Sequence, residues 1–257
     1  MQILNHRIYG TGNPVIYILH GIFGMLDNWH YVAGILGQNC TVVTSDARNH
    51  GKSFHTENMS FDNMAEDIQH LMAHLGHEKI ILAGHSMGGK TAMKFAQNFP
   101  TLLDKLAIID IANKTYAPSH LAYFQAFKDI DFSTIRSRTE ADLALIPYAS
   151  DLAVRQFLLK NLEPKPAGGY KPKFNIEAIQ RNYNAIIGAI DLPIPTWKGP
   201  TLFISGEKSQ YIKESDKVSL TSEFPKSTFA KVSSAGHWVH ADNPAEFLDI
   251  FQTFIQS

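Results

Sequence analysis

The stretch Lys79-Ile80-Ile81-Leu82-Ala83-Gly84-His85-Ser86-Met87-Gly88-Gly89-Lys90 decides how the chain is read. A short apolar run suited to a buried strand enters Gly84-x-Ser86-x-Gly88, and a helix-like segment leaves it. A serine held between strand and helix sits on a strained turn that projects its hydroxyl. Glycines two positions to either side are needed because side chains there would meet neighbouring backbone. The helix that follows aims N–H groups and a positive dipole end at any oxyanion formed beside it. Ser86 is therefore the candidate nucleophile; a chance pentapeptide in a loop would have neither flanking element.

Outward from this turn, β-rich runs stand at Val15 to Leu19, Thr41 to Thr44, Lys79 to Ala83, Leu106 to Ile109, Thr201 to Ser205 and Thr228 to Val232. They are apolar without alternation, as strands are when helices cover both faces of a parallel sheet. Ile3 to Tyr9 reads as an antiparallel edge before the turn Gly10 to Pro14. Helices fit Asp62 to Leu75, Lys90 to Asn98 and Ala245 to Ile255, the second stopped by Phe99-Pro100. Between Ile109 and Thr201 the chain is far longer than one crossover helix requires. It carries helix-like segments at Ser119 to Lys128, Glu140 to Tyr148, Val154 to Leu162 and Asn175 to Ile187, with Glu163 to Gly169 as a Pro- and Gly-containing loop. A loop of that length without structure is improbable. The expected organisation is an α/β core domain from residues 1–112 and 199–257, with a helical cap at 113–198 inserted before the last two strands.

A serine nucleophile needs a base, and His237 in Ser233-Ser234-Ala235-Gly236-His237-Trp238-Val239-His240 follows the last strand and precedes the final helix. The chain order serine, acid, histidine places it where a loop can reach Ser86. His240 reads as support for that loop. His70, His74 and His77 lack the glutamate of a His-Glu-x-x-His site, so they read as a solvated helix face and no metal is implied. The loop after the next-to-last strand, Gly206-Glu207-Lys208-Ser209-Gln210-Tyr211, has no aspartate; Ser209 stands where one is often found. Asp110, after the four apolar residues Leu106 to Ile109, ends a strand on the edge where such sites assemble. Asp110 is preferred as the acid, with Glu207 next and Asp216 and Asp242 behind. The turn His20-Gly21-Ile22-Phe23-Gly24 offers the backbone N–H of Ile22, with that of Met87, as oxyanion donors. Phe23, Met87 and Trp238 are candidate pocket residues, closed by Tyr123, Phe127 and Phe157 of the cap, although core packing accounts for each aromatic equally well.

Composition narrows the alternatives. Of 257 residues 44% are hydrophobic, enough for a sizeable core, and 23 Lys+Arg against 24 Asp+Glu leave no basic stripe for nucleic acid. The single cysteine, Cys40, cannot form an internal disulfide and fits a reducing compartment. The N-terminus has no signal-peptide pattern and no apolar run approaches the ~20 residues of a membrane span. No Gly-x-Gly-x-x-Gly or P-loop follows the first strand, so no cofactor is implied. The chain is expected to be cytoplasmic, a monomer or small homo-oligomer acting on a small molecule.

Four motifs together, His20-Gly21-Ile22-Phe23-Gly24, Asp46-Ala47-Arg48-Asn49-His50-Gly51-Lys52-Ser53, Gly84 to Lys90 and Ala235 to Ala241, resemble the bacterial YbfF-type esterases of the α/β-hydrolase superfamily. The first and third are widespread there. The Arg-Asn-His-Gly-x-Ser run, Lys90 and Ile109-Asp110-Ile111-Ala112 are more particular to this group. The resemblance spans nearly the whole chain and implies the α/β-hydrolase fold, a triad acid at the position of Asp110, and hydrolysis of carboxylic esters, including acyl thioesters, beneath a helical cap. Arg48 and His50 then read as structural. A perhydrolase, a carbon–carbon bond hydrolase or a lyase would use the same serine, and a ligand-sensing protein would use the same fold without turnover.

Overall fold

The computed structural model describes every residue after Met1. Seven strands form one sheet: β1 (His6–Tyr9), β2 (Val15–Leu19), β3 (Thr41–Ser45), β4 (Ile80–His85), β5 (Leu103–Ile109), then, beyond a long insertion, β8 (Thr201–Gly206) and β9 (Ser227–Val232). Their spatial order is β1-β3-β2-β4-β5-β8-β9, all parallel except β1, which pairs antiparallel with β3. The expected α/β architecture is present. β5 starts earlier than expected, and the edge strand starts at His6 rather than Ile3.

Helices cover both faces of the sheet: α1 (His30–Leu36), α2 (Phe61–Leu75), α3 (Met87–Asn98) and, near the C-terminus, α9 (Lys217–Glu223), α10 (Val239–Asp242) and α11 (Pro244–Gln256). Two apolar clusters fill the space beneath them. On one face Tyr17, Leu82 and Ile108 pack against Ile68 and Phe95. On the other Ile16, Ile81 and Ile109 meet Val32, Phe247 and Phe251. Neither α1, α9 nor α10 is evident from periodicity. Each spans at most seven residues and depends on tertiary burial, as with Val32, Ala33 and Leu36 of α1.

Between β5 and β8 the chain forms α4 (Leu121–Asp129), α5 (Arg138–Leu145), α6 (Leu152–Leu159), α7 (Ile176–Arg181) and α8 (Tyr183–Ile187). The stretch expected as a loop instead contains an antiparallel hairpin, β6 (Leu162–Pro164) and β7 (Tyr170–Pro172). Its turn includes Gly168 and Gly169, both at positive φ. The expected helix Val154 to Leu162 ends at Leu159, and Asn182 divides α7 from α8. Phe124, Leu158, Phe174 and Ile179 from this segment share a buried cluster with Ile22, Phe23, Met64 and Met87 of the sheet body. The segment is thus welded to the body by a third core. Among the described residues no helix is long and apolar enough to cross a membrane.

Candidate active site

The strand β4 delivers the chain into the turn that carries Ser86, which has φ 54° and ψ −117° and precedes the first residue of α3. The flanking glycines are sterically required. A Cβ on Gly84 would lie 2.1 Å from the carbonyl oxygen of Gly88, and one on Gly88 would lie 2.7 Å from that of His20. Ser86 opens onto a cavity of about 670 Å³ that His237 also lines.

Asp110 follows β5 and is fully buried, with a positive φ of 48°. Three donors meet at its carboxylate: His237 Nδ1 at 2.7 Å and the Ser209 hydroxyl, both on Oδ2, and the Gly206 amide on Oδ1 at 3.2 Å. The amide of Tyr211 donates to Ser209 Oγ at 3.2 Å, which turns the serine proton toward the acid. Three converging donors are the arrangement an ionised carboxylate accepts. Burial pushes the Asp110 carboxyl up to about 7, while Ser209 and Gly206 hold it down. Burial likewise pushes the His237 imidazole down to about 3. The ring is then neutral, with its Nδ1 proton on Asp110 and the Nε2 lone pair available.

The other carboxylates are engaged elsewhere. Glu207 accepts from the Ser234 amide at 2.7 Å, Asp242 from the Gly236 amide at 2.7 Å, and Asp216 pairs with Lys114. Ser209, standing where an aspartate is often found, donates its hydroxyl to Asp110, which an ionised carboxylate there could not do.

The turn after β2 is braced by neutral histidines. His20 accepts from the Ala47 amide through Nε2 at 2.9 Å and donates through Nδ1 to the Gly21 carbonyl at 2.7 Å. His50 accepts from the Phe23 amide at 3.2 Å and donates to the Arg48 carbonyl at 3.0 Å. Burial lowers both rings, that of His50 to about 3. Arg48 grips Asp67 through two N–H···O contacts of 2.6 and 2.7 Å, in the structural role expected of it. Phe23 has φ 58°, and its carbonyl accepts from the buried Asn161 side chain at 2.7 Å. This leaves the Ile22 amide beside the cavity, while the Met87 amide heads α3. Neither has a hydrogen-bond acceptor among the described residues.

Of the expected pocket residues, Phe23, Tyr123, Phe157 and Trp238 line the cavity, Phe157 against Trp238 at 5.1 Å between ring centroids. Phe127 does not. Its ring packs on Phe132 and Phe174 at 5.1 and 4.7 Å, because the apolar stripe of α4 has a side facing the insertion's own core. Nor does the Met87 side chain, which is buried in the shared third core. His77 lies beyond the end of α2 and hydrogen-bonds the Tyr17 hydroxyl at 2.8 Å, so it does not belong to a solvated face. His240 is buried, stacked on Trp29 at 3.9 Å, and supports the loop that carries His237. Sequence reasoning missed His85, His120 and Tyr211. His85 hydrogen-bonds the His237 carbonyl at 2.8 Å, and its only signal was its place beside Ser86. Tyr211 lies in an irregular turn, and the helix-like pattern of Ser119 to Lys128 carries no signal that places His120 at the cavity.

A family model described as the alpha/beta hydrolase fold matches residues 14–244. The chain is 39% identical over 257 residues to sn-1-specific diacylglycerol lipase ABHD11 of Danio rerio, covering 96% of this chain and 80% of that protein. It is 32% identical over 244 residues to esterase YbfF of Escherichia coli (strain K12), covering 95% of this chain and 93% of that protein. A solved structure described as a marine microorganism esterase matches with a TM-score of 0.95 at 37% identity, covering 99% of this chain and all of the other.

Proposed function

The chain belongs to the α/β-hydrolase family, and on that premise we propose that it is a serine hydrolase cleaving carboxylic esters through an acyl-enzyme. The observation that carries this reading is the 2.7 Å contact between His237 Nδ1 and Asp110, beside a cavity that also holds Ser86 at the head of α3. In acylation His237 Nε2 takes the Ser86 proton as Oγ attacks the ester carbonyl. The amides of Ile22 and Met87 receive the oxyanion, each such donor being worth roughly 10²–10³ in rate. Collapse breaks the bond to the alcohol oxygen, which leaves with the Nε2 proton. Water then gives a proton to Nε2 as it attacks the acyl carbon, and collapse breaks the bond to Ser86 Oγ, which takes the proton back from Nε2 as the acid leaves. Asp110 holds Nδ1–H throughout and stabilises the imidazolium.

The insertion at 113–198 is read as a cap that contributes Tyr123 and Phe157 to the acyl pocket. The chain has the same sort of substrate as its relatives' names imply, a small-molecule ester. A panel of p-nitrophenyl esters of increasing acyl length, run beside acyl-CoA thioesters, tests this. Wild type should turn over esters and Ser86→Ala should lose turnover by several orders of magnitude. Equal turnover by both would overturn the reading.

A further inference from the structure

His237 has a second close neighbour besides Asp110. The ring of Tyr211 lies on the imidazole with centroids 3.7 Å apart and planes 17° apart. Tyr211 is itself fixed at both main-chain ends. Its amide donates to Ser209 Oγ at 3.2 Å, and its carbonyl accepts from the Tyr116 hydroxyl at 2.8 Å. That hydroxyl in turn accepts from the Ala112 amide at 2.8 Å, two residues beyond Asp110. The Tyr116 ring stacks on Tyr211 at 5.1 Å and 28°. The loop that lacks an aspartate thus supplies a hydroxyl to Asp110 and a flat ring to His237.

The physical need for that ring follows from the histidine side chain. Its terminal torsion is broad and roughly two-fold, so rotamer preference does not set the ring plane. The bond to Asp110 fixes one vertex, Nδ1, and leaves rotation about it. A stacked ring removes that freedom. Its electron-rich face also favours the cation formed when the imidazole gains a proton.

We propose that Tyr211 is a positioning residue for His237, holding the imidazole plane so that Nδ1 stays on Asp110 while Nε2 is directed into the cavity that Ser86 also lines, and stabilising the imidazolium. This rests on the serine-hydrolase reading above. The other titratable groups around the ring are Asp110 after β5, His85 at the end of β4, His120 before α4 and His240 in α10. All three histidines are held neutral by burial, so Asp110 and Tyr211 are the neighbours that favour the cation.

The test compares Tyr211→Phe, which keeps the ring, with Tyr211→Leu and Tyr211→Met, which fill space without one. The main readout is the second-order rate of fluorophosphonate labelling of Ser86 as a function of pH; kcat and KM on a short neutral ester accompany it. Tyr211→Phe should stay within about twofold of wild type. Tyr211→Leu should label about tenfold more slowly, with kcat falling more than KM rises. Its acid limb should move to lower pH, because losing the stack disfavours the imidazolium. Tyr211→Met reads the same quantities if the leucine variant melts below the assay temperature. A wild-type rate and midpoint in the ring-less variants would overturn the proposal. An equal fall in Tyr211→Phe would also overturn it, since the hydroxyl rather than the ring would then be what matters. No labelling of wild type would instead overturn the serine-hydrolase reading, and this proposal with it.

Discussion

Ser209 donates its hydroxyl to Oδ2 of Asp110, the same oxygen that His237 Nδ1 meets at 2.7 Å. A donor to the charged form holds a buried carboxyl down against desolvation, and Asp110 stands at about 7 even with this help. Removing it in Ser209→Ala should raise the carboxyl further. The acid limb of kcat/KM, set by the coupled Asp110–His237 pair, should then move up by about one to two pH units, since a hydrogen bond to a charged group contributes about 1.5–3 kcal/mol. Activity should fall at neutral pH and recover at alkaline pH. A pH–rate profile on a neutral ester checks this, and an unmoved limb would contradict the role given to Ser209.

The choice of acid has its own test. Asp110→Asn keeps the shape but replaces the carboxylate that fixes the Nδ1 proton, and kcat should fall about 10³–10⁴-fold. Glu207→Gln should change kcat by no more than about twofold, because Glu207 braces the Ser234 amide rather than the imidazole. Steady-state kinetics of the two variants decide the matter, and the reverse ranking would contradict it.

Several histidines should make the protein acid-labile. His20, His50, His85 and His240 are each under a tenth exposed, and burial lowers all four, His50 to about 3. The unfolded chain takes up protons at these groups below about pH 6.5, whereas the folded chain does not. Their contribution is therefore complete above about 6.5 and is lost as pH falls toward the depressed values. At pH 5 each costs up to about 2 kcal/mol, against a total stability of about 5–15. Thermal melts should show a Tm more than about 10 °C lower at pH 5 than at pH 7.5. Equal Tm values would contradict the neutral, buried state of these rings.

Lys90 is almost wholly buried, and its ammonium donates to the carbonyls of Lys114 at 3.0 Å, Ile187 at 3.2 Å and Gly188. Those carbonyls belong to the two roots of the insertion. Lys90→Met keeps the length and leaves them unpaired, and should cost about 2–4 kcal/mol. Hydrogen exchange should quicken over residues 113–118 and 183–190 in particular. Unchanged melting and exchange would contradict a clasp at this point.

Where a residue was readable from the sequence, its signal was local. The elbow around Ser86 carries its own strand, glycines and helix. Asp110 was readable as an acid ending a four-residue apolar run, and the structure places its carboxylate on His237. What was not readable was set by tertiary contact. Periodicity on α4 marks Phe127 as apolar but does not say which of two apolar surfaces it meets. The hairpin Leu162 to Pro172 rests on three-residue strands, too short for any alternation to register. Tyr211 and Ser209 lie in an irregular turn, where identity alone does not reveal what a ring or hydroxyl touches.

The central claim, that Ser86 is the nucleophile, is tested most directly by intact-protein mass spectrometry after exposure to a fluorophosphonate, with peptide mapping of the adduct. The expected result is one phosphonyl adduct per chain, on the peptide containing Ser86, and none in Ser86→Ala. Stoichiometric labelling of the alanine variant, or an adduct mapped to another residue, would contradict it.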